Sequence, residues 1–95
     1  MSEMMRSSAG LDERRRRILY RAWHRGTREM DYVLGTFSNR EIENLTEEQL
    51  EMFEVLMQAP DPDMYKWLSG SKSVPQEWDS LLVNKIRSFH MDDGK

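Results

Sequence analysis

The sequence contains no cysteine, which excludes disulfide cross-links, thiolate metal ligands and cysteine nucleophiles together. That absence fits a reducing compartment. No apolar run approaches the roughly 20 residues that a membrane-spanning helix needs, so no membrane insertion is expected. Met1 to Gly10 lacks the apolar stretch of a secretory signal and is too short to look like an organelle transit peptide. A cytoplasmic bacterial protein is the simplest expectation. The two histidines, His24 and His90, lie far apart and neither has a ligand partner at helical i+4 spacing, so no metal site is expected. There is no G-x-S-x-G, no P-loop and no dinucleotide fingerprint.

What remains is a short, charged chain. Its 95 residues make one small domain, whose core must be efficiently packed because so small a chain buries only a modest fraction of its surface. A chain of this size also lacks the concavity to enclose a substrate or a whole dinucleotide. Acid pairs such as Glu47-Glu48 and Asp61-x-Asp63 stand at helix starts, where carboxylates interact well with the helix dipole. They read as caps rather than catalysts, and a binding protein with no catalytic residues is expected.

Helix signals dominate and strand signals are nearly absent. Asp12 is placed to cap a first helix running to about His24, with Ile18, Leu19, Ala22 and Trp23 as its apolar stripe and Gly26 as its stop. Thr27 is an N-cap candidate for a second helix, in which Met30, Val33, Leu34 and Phe37 recur at helical spacing. Gly35 reads as a bend or weak point; the helix extends to Asn44 or breaks at Ser38, which has Glu41 three residues on. Thr46-Glu47-Glu48-Gln49 is a capping box leading into Leu50, Phe53, Leu56 and Met57. Asp61-Pro62 reads as a carboxylate cap with proline at the first helical position, ahead of Met64, Trp67 and Leu68. After Gly70, a last helix from Pro75 carries Trp78, Leu81, Leu82, Ile86 and Phe89, and the chain frays from His90. The fold class expected is all-α, a compact bundle of about five short antiparallel helices. Residues 1–11 form a flexible N-terminus, 12–90 a single helical domain and 91–95 a disordered tail. The three Trp and three Phe supply core volume.

Charge is unevenly distributed. The net charge is −3, yet residues 1–30 carry +4 and the remainder −7. A basic end on an acidic body orients a partner by its field. Four consecutive arginines, Arg14 to Arg17, point about 100° apart on a helix and make no single phosphate-binding stripe. Arg14, Arg17, Arg21, Arg25 and Arg28 do recur at spacings of three and four, so a basic first helix binding an acidic protein or RNA stays open. Against nucleic acid stand the acidic remainder and the lack of an exposed aromatic platform. Arg25-Gly26-Thr27-Arg28-Glu29 interrupts the helical pattern with a cation, a residue lacking a side chain, and an anion. It reads either as a glycine-terminated helix beside an ordinary ion pair or as a contact surface.

Tyr20, Arg25-Gly26-x-x-Glu29, Asp31, Phe37, Leu45-Thr46-x-x-Gln49 and Asp61-Pro62-Asp63-x-x-x-Trp67-Leu68 occur in that order. Together they resemble the succinate dehydrogenase assembly factor (FAD assembly or flavinylation factor) family in its bacterial form, over about residues 14 to 89. The resemblance implies a compact bundle of about five helices and a chaperone-like factor that is not an enzyme. It also implies binding to the flavoprotein subunit of succinate dehydrogenase and, in some bacteria, of fumarate reductase. No cofactor is stably bound; FAD becomes linked to a histidine of the partner. The family's contact surface carries over to Arg25, Gly26 and Glu29, and a monomer is expected. Thr27 departs from the methionine often found there, as do Gly35-Thr36 and His24 from the commoner pattern.

Overall fold

Asp12 starts the first helix from an extended backbone, and its carboxylate accepts the Arg15 amide at 2.8 Å. The computed structural model describes residues 4–76, 78 and 80–93. Five helices occur in them: α1 (Glu13–Trp23), α2 (Arg28–Glu41), α3 (Glu47–Leu56), α4 (Asp61–Ser69) and α5 (Ser80–Asp93). No strand is found among the described residues, and the protein is all-α. The chain divides into two compact units, Met1–Thr46 and Glu47–Lys95.

In the first unit α1 packs on α2. The hairpin is antiparallel, because Arg15 near the start of α1 reaches the far end of α2. There it donates to the carbonyls of Ile42 at 2.9 Å and Leu45 at 2.6 Å, supplying donors just where a helix runs out of amide partners. Its third contact is Asp12, at 2.6 Å. Ile18, Leu19, Ala22, Met30, Leu34, Phe37, Ile42 and Leu45 are all buried.

Gly35 is not a bend. It is buried inside a continuous α2, under the Trp23 indole, and a Cβ built there would stand 2.3 Å from a ring carbon. Trp23 is only half-buried, and its indole N–H donates to the Asn39 side-chain oxygen at 3.0 Å. The same oxygen accepts the Arg6 amide at 3.0 Å, while the Asn39 amide donates to the Met4 carbonyl at 2.8 Å. Arg6 pairs with Glu43 at 2.7 Å, and Leu11 is buried. The leading segment, expected to be flexible, therefore makes specific contacts with α2 from residue 4 onward. No break occurs at Ser38, and α2 stops at Glu41, short of Asn44. The Arg15 guanidinium donates to the carbonyls just beyond that end.

In the second unit α5 contacts both α3 and α4. Leu50, Phe53, Leu56, Met57, Met64, Trp67, Leu82, Val83 and Ile86 are buried. Two expected starts shift. Pro60, extended at ψ 141, takes the cap position of α4, so Asp61 is its first helical residue and Pro62 its second. Helix α5 begins at Ser80 rather than at Pro75, where Trp78 closes a turn onto the Pro75 carbonyl at 3.0 Å. Residues 77 and 79 lie outside the described part. Trp78 instead meets Trp67 at a ring separation of 5.5 Å. Leu82, Val83 and Ile86 face inward, whereas Leu81 is 72% exposed. Phe89 is half-buried, and the helix continues past His90 to Asp93 instead of fraying there; residues 94 and 95 lie outside the described part.

Substituting Gly35→Ala must displace the Trp23 ring, and should lower unfolding stability by about 1–3 kcal/mol in denaturant titration. Phe53→Ala removes a fully buried ring and should cost about 3–5 kcal/mol in the same assay. The Arg15 amide, then the Arg15 guanidinium and the charge of Arg14, hold the Asp12 carboxyl below its ordinary value. A lowered folded-state value adds stability that is complete above the ordinary value of 3.8 and is lost as pH falls through the lowered one. Asp12→Asn keeps a capping oxygen but not this titration, so the acid limb of the stability–pH curve should flatten because stability near neutrality falls toward the low-pH level, where the two proteins converge.

Candidate functional site

The reversal from α1 into α2 brings together the three residues singled out in the sequence: Arg25 and Gly26 in the connecting turn and Glu29 in the first turn of α2. Helix α1 ends at Trp23, with His24 as its cap residue, and its amide donates to the Arg21 carbonyl. The His24 Nδ1 lies 2.7 Å from the Tyr20 carbonyl, which only accepts, so this nitrogen is the donor. The His24 ring stacks on Tyr20 at a centroid distance of 4.0 Å, and Tyr20 is 57% exposed. An aromatic pair thus borders the turn on its α1 side.

Gly26 follows at φ +114, a conformation that L side chains rarely adopt. A Cβ built there meets no atom within 4 Å. Its requirement for glycine in the free protein is therefore conformational, and the space beyond it is open. Thr27 then caps α2, its hydroxyl accepting the Met30 amide at 3.3 Å. The threonine that departs from the common family pattern thus has a local role of its own.

Arg25 is half-buried, whereas Gly26 and Glu29 are exposed. Glu29 lies in the first turn of α2, where a carboxylate interacts favourably with the helix dipole. The turn's chief internal tie is one that the sequence did not assign. Asp31 Oδ1 accepts the Arg25 amide at 2.6 Å and the Gly26 amide at 3.3 Å. Its position two residues after Glu29 in a capped helix start was the available signal.

The five-arginine stripe is not continuous. Because α1 stops at Trp23 and the chain reverses, Arg25 lies in the turn and Arg28 opens the next helix. Arg15 serves the end of α2, and Arg17 pairs with Glu13 at 3.4 Å. Among the described residues no cluster of acids and histidines could hold a metal ion, and no helix is long and apolar enough to cross a membrane.

An all-helical chain whose most distinctive surface is an open, glycine-centred turn is of the kind that works by contact. The family model described as flavinator of succinate dehydrogenase matches residues 16–90, and the chain belongs to this family. It is similar to the FAD assembly factor SdhE of Acetobacter pasteurianus, with 40% identity over 76 residues, covering 80% of this chain and 70% of the relative. It is 32% identical over 83 residues to the mitochondrial succinate dehydrogenase assembly factor 2 of Dictyostelium discoideum, covering 87% of this chain and 59% of the relative. The corresponding factor of Saccharomyces cerevisiae strain YJM789 is 29% identical over 99 residues, covering 100% of this chain and 61% of the relative. The chain thus spans little more than half the length of several of the curated relatives it matches. No solved structure matches it.

Proposed function

We propose that this protein is a chaperone-like assembly factor, not an enzyme, that binds the flavoprotein subunit of succinate dehydrogenase and promotes covalent attachment of FAD to it. The observation that carries this reading is the family match over residues 16–90, which includes the whole Arg25–Glu29 turn. The docking surface is Arg25, Gly26 and Glu29. Open space over Gly26 lets a partner backbone approach without a side chain holding the surfaces apart. Arg25 offers a planar guanidinium suited to forked hydrogen bonds with a carboxylate or carbonyl, and Glu29 accepts from a partner donor. The contribution to flavin attachment is positional: the factor holds the flavoprotein so that FAD and its acceptor histidine align, while the covalent chemistry belongs to the flavin and its subunit. The factor works as a monomer in the cytoplasm, holds no cofactor stably, and extends its action to the fumarate reductase flavoprotein.

A generic adaptor using a basic first helix is the weaker reading. It relied on a stripe of Arg14, Arg17, Arg21, Arg25 and Arg28 that the reversal after Trp23 interrupts, and in which Arg17 pairs with Glu13.

The test is in-gel flavin fluorescence of the dehydrogenase flavoprotein produced with and without this protein. Fluorescence that does not depend on the protein refutes the reading. Gly26→Arg should abolish the signal while leaving the helical spectrum intact. Gly26→Ala carries the same backbone strain, roughly 1–3 kcal/mol, without the bulk. It should retain more activity than Gly26→Arg, because the projecting side chain is what blocks approach.

A further inference from the structure

Gly26 alone does not account for the shape of its turn. A glycine visits positive and negative φ with similar ease, so a free glycine at this point leaves the junction undecided among several geometries. The turn is nevertheless tied down. One carboxylate oxygen of Asp31 accepts two successive backbone amides, those of Arg25 and Gly26. Asp31 is half-buried, on the first turn of a helix that Thr27 caps separately. Cap and clamp act on different amides, since the Thr27 hydroxyl takes that of Met30.

We propose that Asp31 is a positioning residue for docking: by binding the Arg25 and Gly26 amides it pre-forms the turn that the flavoprotein meets. The proposal rests on the reading of that turn as the docking surface. Two consequences follow from the geometry. Convergence of both amides on one oxygen holds Gly26 at positive φ, with the empty side of its Cα outward. The ordering cost of the loop is met within the free protein, so binding does not have to supply it. Asp31 need not touch the partner. Its requirement is an acceptor atom at that place, and an uncharged acceptor of the same shape can meet it.

The experiment compares wild type, Asp31→Asn and Asp31→Ala as full chains. Amide hydrogen exchange at Arg25 and Gly26 is measured in the free proteins, affinity is measured against the isolated flavoprotein subunit, and thermal unfolding serves as the control for folding. Wild type should show both amides protected. Asp31→Ala should lose that protection and bind the flavoprotein about tenfold or more weakly while remaining folded. Asp31→Asn should recover most of both, because its side-chain oxygen can take the two amides. Unprotected amides in wild type, or unchanged affinity in Asp31→Ala, would overturn the proposal. Equal damage from Asn and Ala with intact protection in Asn would also overturn it, by showing that the carboxylate charge meets the partner directly. If wild type and all variants fail to bind the flavoprotein, the functional reading falls, and the docking role of Asp31 with it. Binding by wild type with indifference to Asp31 refutes the positioning role alone.

Discussion

The first helical hairpin depends on the approach of the Trp23 indole to the backbone of Gly35. A methyl group at position 35 would sit inside the ring's contact distance, so the two helices reach this separation only where α2 offers no side chain. The ring is also fixed in direction, because its N–H is committed to Asn39. Asn39 in turn joins the leading segment to α2 through Arg6 and Met4. One close contact thereby sets the helix spacing, the placement of the last residue of α1, and the docking of residues 4–11. Where α1 must stop is where the chain must reverse.

That reversal divides the work of two glycines. Gly35 is required for packing, in an ordinary helical conformation, and Gly26 for conformation, in open space. A substitution at the first acts through a clash with the protein's own core; at the second it acts through backbone strain and through whatever approaches from outside. The distinction suits the proposed role. A factor that contributes by positioning a partner gains most from a contact surface already ordered before the encounter. Thr27 and Asp31 order the turn through different amides.

The arginine run illustrates how a charge pattern divides once folded. Arg15 is drawn into the hairpin, where its guanidinium reaches two carbonyls beyond α2 and the Asp12 carboxylate. Arg17 lies along α1 beside Glu13. Within this run, then, adjacent side chains pointing in different directions on a helix have different duties. A count of charge carries no information about which of them the fold consumes.

Much of the helical plan was legible locally. Asp12, Thr27 and Gly70 act at helix ends within a few bonds of their own backbone, so residue type and spacing suffice to identify them. The apolar spacing of Leu50, Phe53 and Leu56 likewise marks one face of one helix. Arg25, Gly26 and Glu29 are contiguous in the chain, and the family pattern names them without any structure. Leu81 shows the limit: it lies about 100° round the helix from Leu82 and is exposed, and the start that Pro75 and Trp78 signalled falls at Ser80. The sequence by itself determined that the chain forms five helices, that Asp12 and Thr27 cap two of them, and the family. Tertiary structure alone decided that Gly35 is a seat for Trp23, that Arg15 closes the end of α2 and that Asp31 grips the turn. The first two depend on distances between residues far apart along the chain, which exist only once the helices have packed, and the third on the geometry of the reversal between α1 and α2.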